Sequence, residues 1–368
     1  MSEGIERLSV NQWTVRSLGV PELVEACARH GIGAVGLWRE PVADHGLARS
    51  AKLVRDAGLR VSSLCRAGFF NRPGWLDDNR AAIDEAATLG AACLVLVAGG
   101  LPDAGPDSGA ARGVPGGGVA GSTGGGGAVR EGPDVGAGGR GGGGPERWKD
   151  LAAARARAVD AIAELVPHAA GSGVRLAIEP MHPMYCADRG VLSTLAQALD
   201  VAAVHPAETV GVVIDTFHLW WDPGVVAQIA RAGRERRIAG FQVSDFLLQL
   251  PADVLLGRAM MGDGVIDFGP LCRAVSSAGY AGDVEVEIFN ADVWAADPDD
   301  VLARTKDRFT ALIASELAHQ MEELDAAAGA GRDRRHGEHR PRTRAGARRR
   351  ERRRRRTARH DRGGDGHR

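Results

Sequence analysis

Asp215 ends the apolar run VGVVID, and His218 follows it three residues later. A carboxylate at the end of such a run is costly to bury unless something compensates its charge. Neighbouring apolar runs repeat the pattern: LAIE ends at Glu179, GFQV carries Gln242 and EVEI carries Glu287. Read as strands, these runs alternate faces with period 2. Ala177 and Glu179 then share a face, as do Gly211, Val213 and Asp215, Gly240 and Gln242, and Glu285 and Glu287. The opposite parity is apolar: Leu176 and Ile178, Val212 and Ile214, Phe241 and Val243, then Val284, Val286 and Ile288. Four oxygen-bearing side chains thus point one way at corresponding strand ends. Three are anionic, and anions converge in a confined site only around a cation. Hard divalent ions such as Mn²⁺ or Mg²⁺ accept carboxylate and amide oxygens. Glu179, Asp215, Gln242 and Glu287 are therefore the candidate metal ligands. Taken singly, a strand-end Asp ordinarily caps the next helix; four coincident ends are what favour the metal. Glu285 shares the inward parity, and Glu287 is preferred as nearer the rim.

The elements that would position these groups alternate regularly. Strand-like runs lie at 7–12, 34–38, 60–65, 93–99, 174–180, 209–215, 238–245 and 283–289, each followed by a helical pattern. PELVEACARHG is typical, with Pro in its first turn and Gly at its end. Eight strands alternating with eight helices predict a parallel (β/α)8 TIM barrel, whose chemistry lies at the carboxyl ends of the strands. No G-x-G-x-x-G follows the first strand, which weakens the dinucleotide-fold alternative. Further candidates follow from the same rule. His182 just beyond the fifth strand, Arg258 after the seventh and Arg66 at the end of the third, beside Phe69, Phe70 and Trp75, are candidate substrate contacts. Asn11 and Gln12 end the first strand, while Asp245 and Asp263 lie near the rim and suit turns.

LAIEPMHP, VVIDTFH, FQVSD, GDGVIDF and GYAGDVEVEIF, in this order and spacing, resemble the xylose-isomerase-like barrel superfamily of sugar and sugar-phosphate isomerases and epimerases. The resemblance spans residues 6 to about 320, apart from a Gly-rich insert. It implies one divalent ion held by Glu179, Asp215, Gln242 and Glu287, where many epimerases have His in place of Gln242. Gln at this position resembles the hydroxypyruvate-isomerase branch and makes a strongly zinc-preferring site less favoured. His218 falls on the family's D-x-x-H pattern, which implies contact with substrate oxygens. The implied reaction removes a proton next to a carbonyl and returns it to the same or the adjacent carbon, with Glu179 and Glu287 as acid and base and the metal stabilising the enediolate. This proton-transfer chemistry predicts no nicotinamide cofactor. The expected function is a divalent-metal-dependent isomerase or epimerase of a small sugar, sugar phosphate or polyol. A dehydratase of a keto-inositol-type compound would use the same groups, and a non-catalytic binding protein could share the barrel. An abasic-site endonuclease is disfavoured, because only His182 and His218 lie near strand ends.

Composition bounds the rest. The 368 residues are 44% hydrophobic, enough for a sizeable core. No apolar stretch reaches the ~20 residues of a membrane helix, the start MSEGIERLSV has no signal-peptide pattern, and five dispersed cysteines read as reduced thiols. A cytoplasmic protein that does not enter membranes is expected, and the composition is compatible with a homo-oligomer. Residues 101–145 are dominated by Gly, and the tail over 326–368 is rich in Arg, as in RRRERRRRRTARH; both are expected to be disordered. Residues 1–325 would form the catalytic domain. The formal net charge of -1 then hides an acidic body and a basic tail, which could touch nucleic acid only non-specifically.

Overall fold

Short Val-, Ile- and Leu-rich runs bounded by Gly and by capped helices are the raw material of a parallel sheet buried on both faces. In the computed structural model, which describes residues 4–101 and 150–318, eight such strands close into a barrel. They are β1 (Leu8–Asn11), β2 (Ala34–Trp38), β3 (Arg60–Gly68), β4 (Leu94–Val97), β5 (Leu176–Glu179), β6 (Val210–Asp215), β7 (Ile238–Val243) and, after a two-stranded ribbon of β8 (Asp245–Phe246) and β9 (Arg258–Ala259), β10 (Val284–Val286). Neighbours follow chain order, and β10 closes the ring on β1, every barrel pairing being parallel. This is the (β/α)8 architecture expected from the alternation. The Gly-rich insert from residue 102 and the basic tail lie outside the described residues.

The outer helices are α1 (Val20–His30), α2 (Arg39–His45), α3 (Leu47–Asp56), α4 (Trp75–Leu89), α5 (Leu151–Ser172), α6 (Leu195–Ala202), α7 (Thr216–Leu219), α8 (Val225–Arg234), α9 (Phe268–Ser277), α10 (Ala291–Ala295) and α11 (Pro298–Phe309). Their ends carry local signals. Asp150 caps α5 through the amides of Ala152 and Ala153, and Gly173 closes it in the left-handed region at φ 68°. Three of these helices, α2, α7 and α10, are one or two turns directly after barrel strands, too short to leave a 3.6-residue period in the sequence. Among the described residues no helix is long and apolar enough to cross a membrane.

Period-2 parity is visible in the packing. Leu176, Ile178, Val212, Ile214, Phe241, Val243, Val284 and Val286 join the core between sheet and helices. Ala177 and Val213 instead meet Cys65, Cys93, Val95 and Phe289 inside the barrel. A full burial of one such aliphatic side chain is worth about 1.5–3 kcal/mol, so the parity fixes which face of each strand can carry polar groups.

The barrel floor is polar, and Glu285 is its centre. Its carboxylate accepts from Asn11 Nδ2 at 2.6 Å, Ser62 Oγ at 2.6 Å, Ser63 Oγ at 2.8 Å and Gln242 Nε2 at 3.1 Å, all buried. Gly36 faces this carboxyl from β2: a Cβ there would lie 2.5 Å from the Glu285 carboxyl carbon. Because four donors hold Glu285, it cannot swing away. Gly36→Ala is therefore expected to lower stability by about 1–3 kcal/mol, read as a shift in the urea midpoint at constant slope. An unshifted midpoint would mean that the floor yields.

Candidate active site

At the carboxyl ends of the strands a cavity of about 160 Å³ opens, reached by Glu179, Glu287, His218 and Arg258 and walled by Trp13 and Trp38 among others. Each polar group arrives by a local rule. Glu179 is the last residue of β5 and Asp215 the last of β6. The chain then turns into α7, because Asp215 Oδ1 accepts the amide of Phe217 at 2.8 Å. That cap carries His218 to the inner side of its turn. Glu287 lies just beyond β10, its amide still paired with the Val243 carbonyl at 3.2 Å.

Arg258 comes from the β8–β9 ribbon. Asp245 organises the return of that excursion, accepting the amides of Gly262, Gly264 and Ile266, each at 2.9 Å. It is a turn residue, and Asp263, ion-paired with Arg304 and Arg308, is a surface one. The Arg258 guanidinium is buried at the centre of the mouth. Nη2 lies 2.7 Å from Asp215 Oδ2 and 3.2 Å from both Glu287 Oε2 and His218 Nε2, and Nη1 donates to Ser244 Oγ at 3.0 Å. Burial alone would depress this guanidinium, but Asp215 and Glu287 outweigh it and hold it protonated above its ordinary value.

The four strand-end residues are thus brought to one end of the barrel but not into one shell. Glu179, Asp215 and His218 present ligand atoms within 4.8 Å of one another, while Glu287 groups with Cys65 and Glu285, and Arg258 bridges the two sets. Gln242 sits lower, lining a cavity of about 10 Å³ with the floor residues Ser62, Ser63 and Glu285. Since Glu285 can only accept, Gln242 must direct its Nε2 there, and its Oε1 is buried without a donor. An orphaned acceptor of this kind is what a cation would satisfy.

His218 is oriented by the backbone. The amide of His182 donates to His218 Nδ1 at 3.2 Å, so the proton of the neutral ring lies on Nε2, 3.7 Å from Glu179 Oε1. Burial, and then Arg258, hold His218 well below the usual imidazole range. The His182 ring itself packs on Trp221 and Phe246 and accepts from the Met184 amide. Arg66 reaches the cavity wall with Phe69, whereas Phe70 and Trp75, outside the lining, meet each other edge to face. Asn11 and Gln12 are structural, holding the Trp38 indole and the Trp38 amide respectively. Trp13, Glu40, Tyr185 and Arg189 also line the cavity; only their position just past strand ends could have marked them. Burial pushes the thiols of Cys27, Cys93 and Cys272 up to about 12, so none is a ready nucleophile.

Both mouth glutamates resist ionisation. Burial, then Glu287 and Asp215, raise Glu179 well above the carboxylate range. Burial pushes Glu287 up from 4.5 to about 8 despite the opposing pull of Arg258. Between these two values the folded protein holds a proton that the unfolded chain has released, so stability falls as pH rises. Burial also holds His218, His182 and His205 below their ordinary 6.5, which makes stability rise with pH up to about that value. The glutamates' decline in melting temperature, measured in chelator, is therefore expected from about pH 7 to 8. A rise across that window would contradict the assignment.

Residues 119–312 match the xylose isomerase-like TIM barrel family. A crystal structure of a protein from Sinorhizobium meliloti 1021 is 41% identical, with a TM-score of 0.69, and the match covers 84% of this chain and 98% of that one. The IOLI protein with a binding zinc atom is 19% identical at a TM-score of 0.61, covering 84% and 99%. L-ribulose 3-epimerase is 18% identical at 0.58, covering 86% and 97%. No curated protein matches the sequence.

Proposed function

The chain belongs to the xylose isomerase-like TIM barrel family, and on that premise we propose that it is a divalent-metal-dependent isomerase or epimerase of a small sugar, sugar phosphate or polyol. The observation that carries the reading is the pair Glu179 and Glu287. Both border one cavity, both are buried, and both are held above the ordinary carboxylate range. A buried carboxyl group whose proton affinity is raised can accept a proton from carbon and return it. The epimerase and the zinc-bound protein among the structural neighbours fit this reading, though at their identities they share no more than the fold.

The residues present fit a divalent ion. Glu179 and Asp215, whose ligand atoms lie with that of His218 within 4.8 Å of one another, would hold it. Glu287, across the Arg258 bridge, is a further carboxylate, and the Gln242 Oε1 that has no donor is the amide oxygen from below. When bound, the ion supplies Lewis-acid stabilisation for negative charge developing on substrate oxygens. The chain's own groups do the rest. Glu179 and Glu287 remove and return the proton from opposite sides of the cavity. His218, its ring fixed through Nδ1, presents Nε2 to a substrate oxygen. Arg258, beside Asp215, Glu287 and His218 at the centre of the mouth, would offer its fork of donors to a substrate oxygen. His182 contributes through its amide, and Arg66 binds from the wall. Residues 1–325 form the catalytic unit in this reading.

The test uses the full chain. Mn²⁺ or Mg²⁺ should raise the melting temperature, and a panel of ketoses in D₂O should show deuterium entering the carbon beside the carbonyl. Metal response without exchange into any sugar would leave a binding protein; absence of both would end the proposal.

A further inference from the structure

Another part of the cavity wall carries charges that proton transfer does not require. Arg66, near the end of β3, lays its guanidinium over the rings of Phe69, at 4.7 Å, and Trp38, at 5.3 Å. Its Nε is buried without an acceptor, and it forms no ion pair within 4.0 Å with a described residue. Arg189, in the loop after β5, borders the same cavity. Its Nε also lacks a hydrogen-bond acceptor, the Asp188 carboxylate being 3.6 Å away. Arg66 and Arg189 thus border one cavity, where burial first depresses Arg66 below its ordinary value. Glu40 offsets part of this charge from the same wall, beyond ion-pairing distance of Arg66.

A guanidinium nitrogen buried without an acceptor is costly, and aromatic stacking compensates only the faces of the guanidinium plane. Its edge donors remain for a planar or tetrahedral anion, which a guanidinium fork grips through two bonds. We propose that Arg66 and Arg189 form an anion subsite of this cavity, and that the substrate is an acidic sugar whose carboxylate or phosphate they hold. The subsite stands on its own geometry; the substrate class rests on the isomerase reading.

The test is binding first, with the full chain and two probes, inorganic phosphate and malonate. Calorimetry should show one of them binding wild type, and the one that binds identifies the anion. Arg66→Met, which keeps an apolar stem between the rings, should weaken that binding by about 10-fold or more, in line with loss of a charge-assisted bond. Arg189→Met provides the same reading should the first variant fail to fold. Absence of binding in wild type, or equal binding in both variants, would overturn the subsite. Turnover comes second, comparing a ketose with its terminal phosphate and with its sugar acid. The anionic member should be favoured in kcat/KM by about 30-fold or more, and the ratio should collapse in Arg66→Met. Anion binding without turnover of any sugar sinks the isomerase reading and spares the subsite. Turnover that favours the neutral ketose sinks the acidic substrate and spares the isomerase.

Discussion

Glu287→Gln is expected to lower deuterium exchange into substrate by about 10²–10⁴-fold, the usual worth of one positioned acid or base. The amide keeps the shape and the hydrogen-bonding reach of the side chain but cannot take a proton from carbon. The same variant should flatten the decline of stability with pH. In wild type, ionising Glu287 in a buried site beside Asp215 and Glu285 outweighs its 3.2 Å contact with Arg258, which is why burial leads the shift. A neutral amide never has to ionise. Glu287→Gln should therefore match wild type near pH 5 and melt higher near pH 9, with Glu179 responsible for the slope that remains. Loss of activity with the pH slope intact would place the titrating group elsewhere.

The second large effect concerns Arg258. Arg258→Met is expected to cost about 3–5 kcal/mol in chelator, the range found when one partner of a buried ion pair is removed. Asp215 is completely buried, and Arg258 is the cation that touches it at hydrogen-bond distance. Without it, Asp215 and Glu287 lose the cation that touches them, Arg66 acting on Glu287 only from the cavity wall. A divalent ion and the guanidinium compete for the same oxygens, so Mn²⁺ should restore more stability to the variant than it adds to wild type, and at lower concentration. The 3.2 Å contact between Arg258 Nη2 and His218 Nε2 points the same way, since both atoms carry protons when the ring is neutral. Measured by thermal melts across an Mn²⁺ titration, equal stability of variant and wild type in chelator would show that Arg258 is not what compensates these carboxylates.

Much of this arrangement is legible in the sequence, because one rule does most of the reading. A strand buried on both faces must alternate, and alternation assigns Glu179, Asp215, Gln242, Glu285 and Glu287 inward without any tertiary knowledge. The barrel order follows from eight repeats of strand and helix. What alternation cannot give is height along the barrel. Gln242 and Glu287 share a parity, yet Gln242 is tied down to Glu285 while Glu287 reaches the mouth. Nor does local pattern reveal a long side chain entering from a neighbouring excursion. Arg258 looks like a loop arginine until the Asp245 turn folds β9 back over the strands. His182 shows the reverse case: the residue type suggested a ring contact, whereas its amide does the positioning.

Asp215 divides its two oxygens between two tasks, one capping α7 and the other meeting Arg258. Its ancestry would be misleading as a result. A descendant barrel that had abandoned chemistry would still need an oxygen to start that helix, and would keep this aspartate for architecture alone. Glu179 and Glu287 hold no comparable structural post, so they would drift first. In judging which barrels of this shape remain enzymes, the two glutamates are the informative witnesses, and the aspartate that first draws the eye is the least so.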